Sequence, residues 1–169
     1  MGLPMKDSHP GQDNAETYDK IGGWLILFAF GLVLYPVQTL YLLITKLFPA
    51  VLSDHWTALT TPTNPGYHSL WAPLVIFELV GSSAFFLYSI VIIAWFFQRR
   101  RRVPVQVYIF LAANMFFVGT DYLIINLFLI PGNSLNLDTT INFVRTVIAG
   151  AAWIPYFMFS RRVRQTFTR

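Results

Sequence analysis

Residues 21–45 read IGGWLILFAFGLVLYPVQTLYLLIT, a run without a single Asp, Glu, Lys or Arg. At 1.5 Å per residue it makes roughly 37 Å of helix, enough to cross a hydrocarbon layer of about 30 Å. Three further stretches repeat the pattern. One runs from Leu70 to Gln98 with Glu78 as its single charge, and Pro73 suits its first turn, where backbone amides lack helical partners. The next runs from Val105 to Ile130, opened by Pro104, stopped by Pro131-Gly132, with Asp121 as its single charge. The last runs from Thr139 to Ser160, with Asp138 as N-cap and Arg145 as its single charge. The fold class is an all-α membrane protein, a four-transmembrane-helix bundle with spans at about 22–46, 71–97, 105–130 and 139–160. Pro36 and Pro155 fall inside the first and fourth spans and predict a kink in each.

Composition agrees. Of 169 residues 55% are hydrophobic and only 12% charged, about half the charged share of a soluble domain. Cysteine is absent, which excludes disulfide scaffolds, Cys-ligated zinc, iron–sulfur clusters and thiol nucleophiles. The formal net charge of +4 raises the question of nucleic acid, and the placement of the charges answers it. Of the 12 Lys and Arg, all but Lys46 and Arg145 lie in residues 1–20, in the 99–102 run or in 161–169. Those three segments share one side of the membrane, so the positive-inside rule puts both termini in the cytoplasm (N-in/C-in), and no nucleic-acid partner is expected. Residues 1–20 are polar and aperiodic and read as a disordered cytoplasmic tail, and 161–169 as a basic cytoplasmic tail. Residues 47–70 form the outer loop, where Ser53-Asp54-His55-Trp56 opens a short interfacial helix. Arg99, Arg100, Arg101 and Arg102 are candidates for contact with anionic lipid headgroups.

Two stretches carry a family signature. Ile21-Gly22-Gly23-Trp24-Leu25-Ile26-Leu27 opens the first span. Trp153-Ile154-Pro155-Tyr156-Phe157, followed by Ser160-Arg161-Arg162-Val163-Arg164-Gln165-Thr166-Phe167, closes the chain. Together they resemble the bacterial membrane family called domain of unknown function 2569, over roughly residues 18 to 167. The resemblance implies a four-helix protein of the bacterial inner (cytoplasmic) membrane. It implies no reaction and no catalytic residue.

A charged side chain near the centre of a span costs about 2.5–3.5 kcal/mol on insertion scales, so each one needs a partner or a task. Counted from the outer helix ends, Gln38, Glu78, Asp121 and Arg145 all lie roughly 9–14 Å deep, one from each span. Ser82 and Ser89 extend the Glu78 stripe, Asn114 shares the Asp121 face, Asn142 stands one turn from Arg145, and Gln38, Tyr41 and Thr45 share a face. Ala149-Gly150-Ala151-Ala152 is small enough for a neighbouring helix to come close. The expectation is a buried polar layer of Gln38, Glu78, Asp121 and Arg145 in the outer half of the bundle, with Arg145 paired to Glu78, Asp121 or both, and with Asn114 and Asn142 as further residues of the same ligand or ion-pair site. Such a layer either fixes helix register or holds a proton, cation or polar ligand. Two carboxylates and one guanidinium leave one negative charge if all ionise, which calls for a shared proton, a bound cation or water.

Other chemistry is poorly supplied. His55 and His68 are far apart, no acid neighbours His68, and no span contains a histidine. Neither a metal site nor haem nor any other cofactor is expected. Without a nucleotide loop or a soluble domain, the chain reads as a non-enzymatic integral inner-membrane protein. It acts as an accessory subunit or homo-oligomer, in contact with membrane lipid and with another membrane protein or itself. The alternative is a small proton-coupled transporter or membrane ligand-binding protein using Glu78, Asp121 and Arg145.

Overall fold

The computed structural model describes residues 23–65, 67–129 and 136–168. The N-terminal tail at 1–20 and the Pro131-Gly132 stop lie outside the described residues, as do the side chains of His55 and Leu59. Among the described residues every regular element is a helix. Four are long and apolar enough to cross a membrane: Trp24–Leu52, Trp71–Phe97, Val103–Leu127 and Leu137–Phe159, here spans 1 to 4. In hydrocarbon no water is available to backbone polar groups, so a spanning segment must satisfy them within itself, and the helix does so. Side chains obey the same rule. Thr39, Thr45, Thr120 and Thr146 each donate a hydroxyl hydrogen to the carbonyl four residues earlier, at 2.7–2.9 Å.

Span 1 departs from the sequence reading. It passes Lys46 and reaches Leu52 through a widened π-turn, Leu43–Leu47, leading into Phe48–Leu52. Pro49 lacks the amide hydrogen that an α-helix would return to Thr45, and the π-turn shifts the hydrogen-bond register where that bond is missing. The outer loop thereby shrinks to 53–70. Ser53 ends the helix in an extended conformation, and the short helix expected after it forms over Asp54–Thr60. Span 2 begins just after His68, whose Nδ1 accepts a hydrogen bond from the Leu70 amide at 3.2 Å. Spans 1 and 4 run unbroken through Pro36 and Pro155. Span 4 is capped by Asn136 and not by Asp138: the Asn136 Oδ1 accepts from the Thr139 amide at 3.1 Å. Asp138 falls instead in the first helical turn, where the helix dipole favours an acid.

The spans pack in chain order, 1 on 2, 2 on 3 and 3 on 4, the last pair most extensively. Glycine sets one close approach. A Cβ on Gly81 of span 2 would lie 2.1 Å from Phe117 Cε2 of span 3, so the ring fills space that only glycine leaves. A Cβ on Gly150 of span 4 would stand 3.5 Å from Met115 Sδ, an ordinary contact, so the packing of spans 3 and 4 does not require glycine there. Spans 2 and 3 are also joined by Tyr88, whose hydroxyl donates to Gln106 Oε1.

The apolar core sits at the end of the bundle that carries Arg99–Arg102 and Arg161–Arg164, here the arginine end. Leu25, Ile92, Phe96, Val103 and Val107 are buried there. Phe28 lies at its centre, with ring centroids 4.5 Å from Phe157, 5.1 Å from Trp153 and 6.0 Å from Phe96. Such aromatic pairs add about 0.5–1.5 kcal/mol each beyond the area they bury. Beneath them Ser160 turns the chain out of span 4 and starts the short helix Arg161–Thr166, its Oγ accepting from the Val163 amide at 3.4 Å. Val163, Thr166 and Phe167 are buried by this return, with the Phe167 ring 5.3 Å from Phe96. Arg101 Nε donates to the Thr168 carbonyl at 2.6 Å and ties the loop between spans 2 and 3 to the C-terminal segment. Gly23 has a φ of +59°, and a Cβ there would lie 2.4 Å from Arg162 Nη1. The two stretches that carry the family signature thus meet at one point.

Candidate functional site

The half of the bundle away from the arginine end is hollow. Spans 1 and 4 share no extended interface and meet at the arginine end, where Phe28 packs on Trp153 and Phe157. Beyond that contact a cavity of about 630 Å³ lies between them, backed by spans 2 and 3. Its lining runs from Phe28 to Lys46 along span 1, about 27 Å of helix axis. The volume falls within the range of small-molecule sites, about 300–1,000 Å³.

All six expected site residues line this one cavity, Gln38, Glu78, Asn114, Asp121, Asn142 and Arg145, but the layer is not buried as a whole. Asp121 is buried, Glu78 and Asn114 are half-buried, and Gln38, Asn142 and Arg145 are exposed on a cavity that spans 1 and 4 leave open. Span 1 ends at Leu52, beyond the Lys46 end expected from the sequence. Gln38 lies about 21 Å from that end, where counting from Lys46 gave about 12 Å. What brings the four spans together is the shared wall and not equal distance from the helix ends.

The expected ion pairs are not formed. Asp121 is only 7% exposed, and its Oδ1 is buried without a hydrogen-bond partner. Arg145 is exposed on the open side of the cavity, and no ion pair joins it to Glu78 or Asp121 among the described residues. The charges that act on Glu78 are Asp121, of like sign, and Lys46, of opposite sign. The physical reason is where the side chains stand: the Arg145 guanidinium is exposed while the Asp121 carboxylate is buried, and spans 2 and 4 share no extended interface that would bring Arg145 to Glu78.

Asn114 has a partner: its Nδ2 donates to the Tyr35 hydroxyl at 2.9 Å, bridging spans 3 and 1. Tyr35 in turn sets its ring edge-on to Phe110, with centroids 5.1 Å apart. Tyr35, Lys46 and Asp138 line the cavity, and sequence reasoning did not place them there. Tyr35 was detectable, standing one turn from Gln38 and Thr39. Lys46 and Asp138 read as loop and cap because the helix ends were misplaced. Conversely, Tyr41 and Thr45 share a helical face with Gln38 in sequence but do not line the cavity, and Tyr41 is 68% exposed.

The lining is graded. Charged and amide groups occupy the Lys46 half, and Leu32, Phe110, Leu111, Ala149 and Trp153 line the way toward the Phe28 floor. Gly31 borders the space, and a Cβ there would meet nothing within 4 Å. Among the described residues no group of three or more His, Asp and Glu is placed to hold a metal ion. Arg99, Arg100, Arg101 and Arg102 stand at the opposite end and do not line the cavity. A pair of acids with an unsatisfied acceptor beside an apolar wall can receive a hydrogen-bond donor of positive charge.

Comparison with curated proteins and with solved structures gives no match. The family described as protein of unknown function (DUF2569) matches residues 18–168, nearly the whole chain, and the protein belongs to that family.

Proposed function

We propose that this protein is a multi-pass protein of the bacterial inner membrane that binds a small ligand in the cavity between spans 1 and 4, as a binding protein or proton-coupled carrier and not as an enzyme. One observation carries the reading: each of the four spans turns a strongly polar residue into a single cavity, and the buried one, Asp121, keeps its Oδ1 without a hydrogen-bond partner. A carboxyl group that served helix register alone would be expected to be hydrogen-bonded to a neighbouring span, since a buried unpaired acid is costly. Orientation with both termini in the cytoplasm is supported by the arginine runs at 99–102 and 161–164, which share one end of the bundle. The cavity then opens toward the periplasmic side. Asp121→Asn and Glu78→Gln, made separately, are expected to abolish ligand binding or uptake while expression and thermal stability are kept. Loss of stability in both, with binding retained in whatever protein folds, would make the layer structural.

A second reading, accessory subunit or homo-oligomer, is favoured by the exposed apolar face of span 4, where Ile141, Val144 and Ile148 lead to the small residues Ala151 and Ala152. Extraction in mild detergent followed by mass measurement tests it, and a strictly monomeric particle with no copurifying protein would exclude it.

A further inference from the structure

Resting on the ligand-binding reading, we propose that the cavity takes an amphiphile with a primary amine head, entering from the membrane through the gap between spans 1 and 4. The ammonium lies against Asp121 and Glu78, and the hydrocarbon lies along Leu32, Phe110 and Trp153 toward the Phe28 floor.

Three observations converge on this chemistry. The unsatisfied buried atom, Asp121 Oδ1, accepts hydrogen bonds when the carboxylate is ionised, so a partner for the ionised form donates a hydrogen. Glu78 lies within the electrostatic field of Asp121, and two carboxylates at close quarters in a medium of low dielectric call for positive charge between them. Arg145 is exposed on the open side of the cavity, and Lys46, whose charge acts on Glu78, makes no hydrogen bond to Asp121 Oδ1, so neither meets that atom's demand. A group that is both a donor and a cation meets both demands, and a protonated amine is the simplest. The third observation is the grading of the wall, with acids in one half and aromatic and aliphatic side chains in the other. From Gln38 to Phe28 this part extends about 15 Å along span 1, room for an alkyl chain, and its polar groups, the Tyr35 hydroxyl and the Asn114 amide, are hydrogen-bonded to each other. The separation of spans 1 and 4 gives such a molecule a path from the bilayer that does not require its tail to cross water.

An amine amphiphile can come from two sources, a bilayer lipid with an ethanolamine head or a free alkylamine. The test uses the full-length protein in phosphatidylcholine nanodiscs, whose lipid heads carry no N–H. Dodecylamine is titrated and tryptophan fluorescence is read, because Trp153 lines the apolar wall. Trp153→Phe identifies the part of the signal that comes from the cavity. Saturable binding of dodecylamine is expected. Dodecyltrimethylammonium has the charge without the N–H and dodecanol has the donor without the charge, so both should bind about tenfold or more weakly. Dodecyl phosphate should not bind. Asp121→Asn and Glu78→Gln should each weaken dodecylamine binding about tenfold or more. Replacing part of the lipid by phosphatidylethanolamine separates the sources: competition with dodecylamine identifies the lipid, and lack of competition identifies the free amine.

Equal binding of dodecanol and dodecylamine would overturn the proposal, as would dodecylamine binding undiminished in both carboxylate variants. If a carboxylate variant does not fold, the ranking of the probes on the unaltered protein decides alone. Gly31→Phe, which fills open space in the cavity, separates this proposal from the reading beneath it. A non-amine probe whose binding is lost in Gly31→Phe removes the amine and keeps the cavity as a binding site. If no probe's binding responds to Gly31→Phe, both fall.

Discussion

At Gly81 a single methyl group has nowhere to go, because the Phe117 ring would lie 2.1 Å from it, and that ring is itself held between Phe77 and Phe85 at centroid distances of 4.8 and 5.3 Å. Gly81→Ala is therefore expected to cost about 1–3 kcal/mol, seen as an earlier midpoint when the protein is unfolded from mild detergent into SDS. Gly31→Ala is the control at the same scale. Its methyl group meets open space, and the helix prefers alanine to glycine by about 0.5–1 kcal/mol, so stability should hold or rise. Single residues also show where sequence reading stops. That Asp121 lies inside a span and matters was legible, because an ionised group in hydrocarbon is expensive. That it lacks a partner was not, because counting along one helix gives depth and says nothing about what the next helix turns toward it.

Among the elements, the four spans were the most legible part of the molecule, since lipid demands long uncharged helices and leaves few alternatives. Their ends were less so. Lys46 reads as the sign that span 1 is over, yet the helix carries it and Pro49 through the turn at Leu43–Leu47 and continues to Leu52. A charge and a proline stop a helix only where no other hydrogen-bond register is available. The short helix Arg161–Thr166 was hidden for a different reason: its Arg residues marked a solvated tail, while Val163, Thr166 and Phe167 between and beyond them are buried under the core. Val163→Asp would place an unpaired charge in that contact at a cost above about 3 kcal/mol. The helix should then undock, and trypsin should cleave after Arg161, Arg162 and Arg164 much faster than in the unaltered protein. Unchanged cleavage would mean that the packing against Phe96 does not hold this helix in place.

For the whole molecule, the lack of any cysteine makes topology directly measurable, because each introduced thiol is the only one. Thr139→Cys lines the cavity and Arg101→Cys lies at the arginine end. In intact cells a charged, membrane-impermeant thiol reagent should label the first at once and the second only after the membrane is opened. The reverse pattern would invert the orientation proposed above. The order of packing has a consequence for how the protein is made. Each span rests on the one synthesised just before it, so a helix leaving the ribosome finds its partner already in the bilayer, and nothing has to be threaded past a finished pair. The first and last spans are the exception, a seam that the backbone leaves open except at Phe28. The cavity therefore comes into being in one late event of biogenesis, when the fourth span settles on the third and the Phe157 ring reaches Phe28.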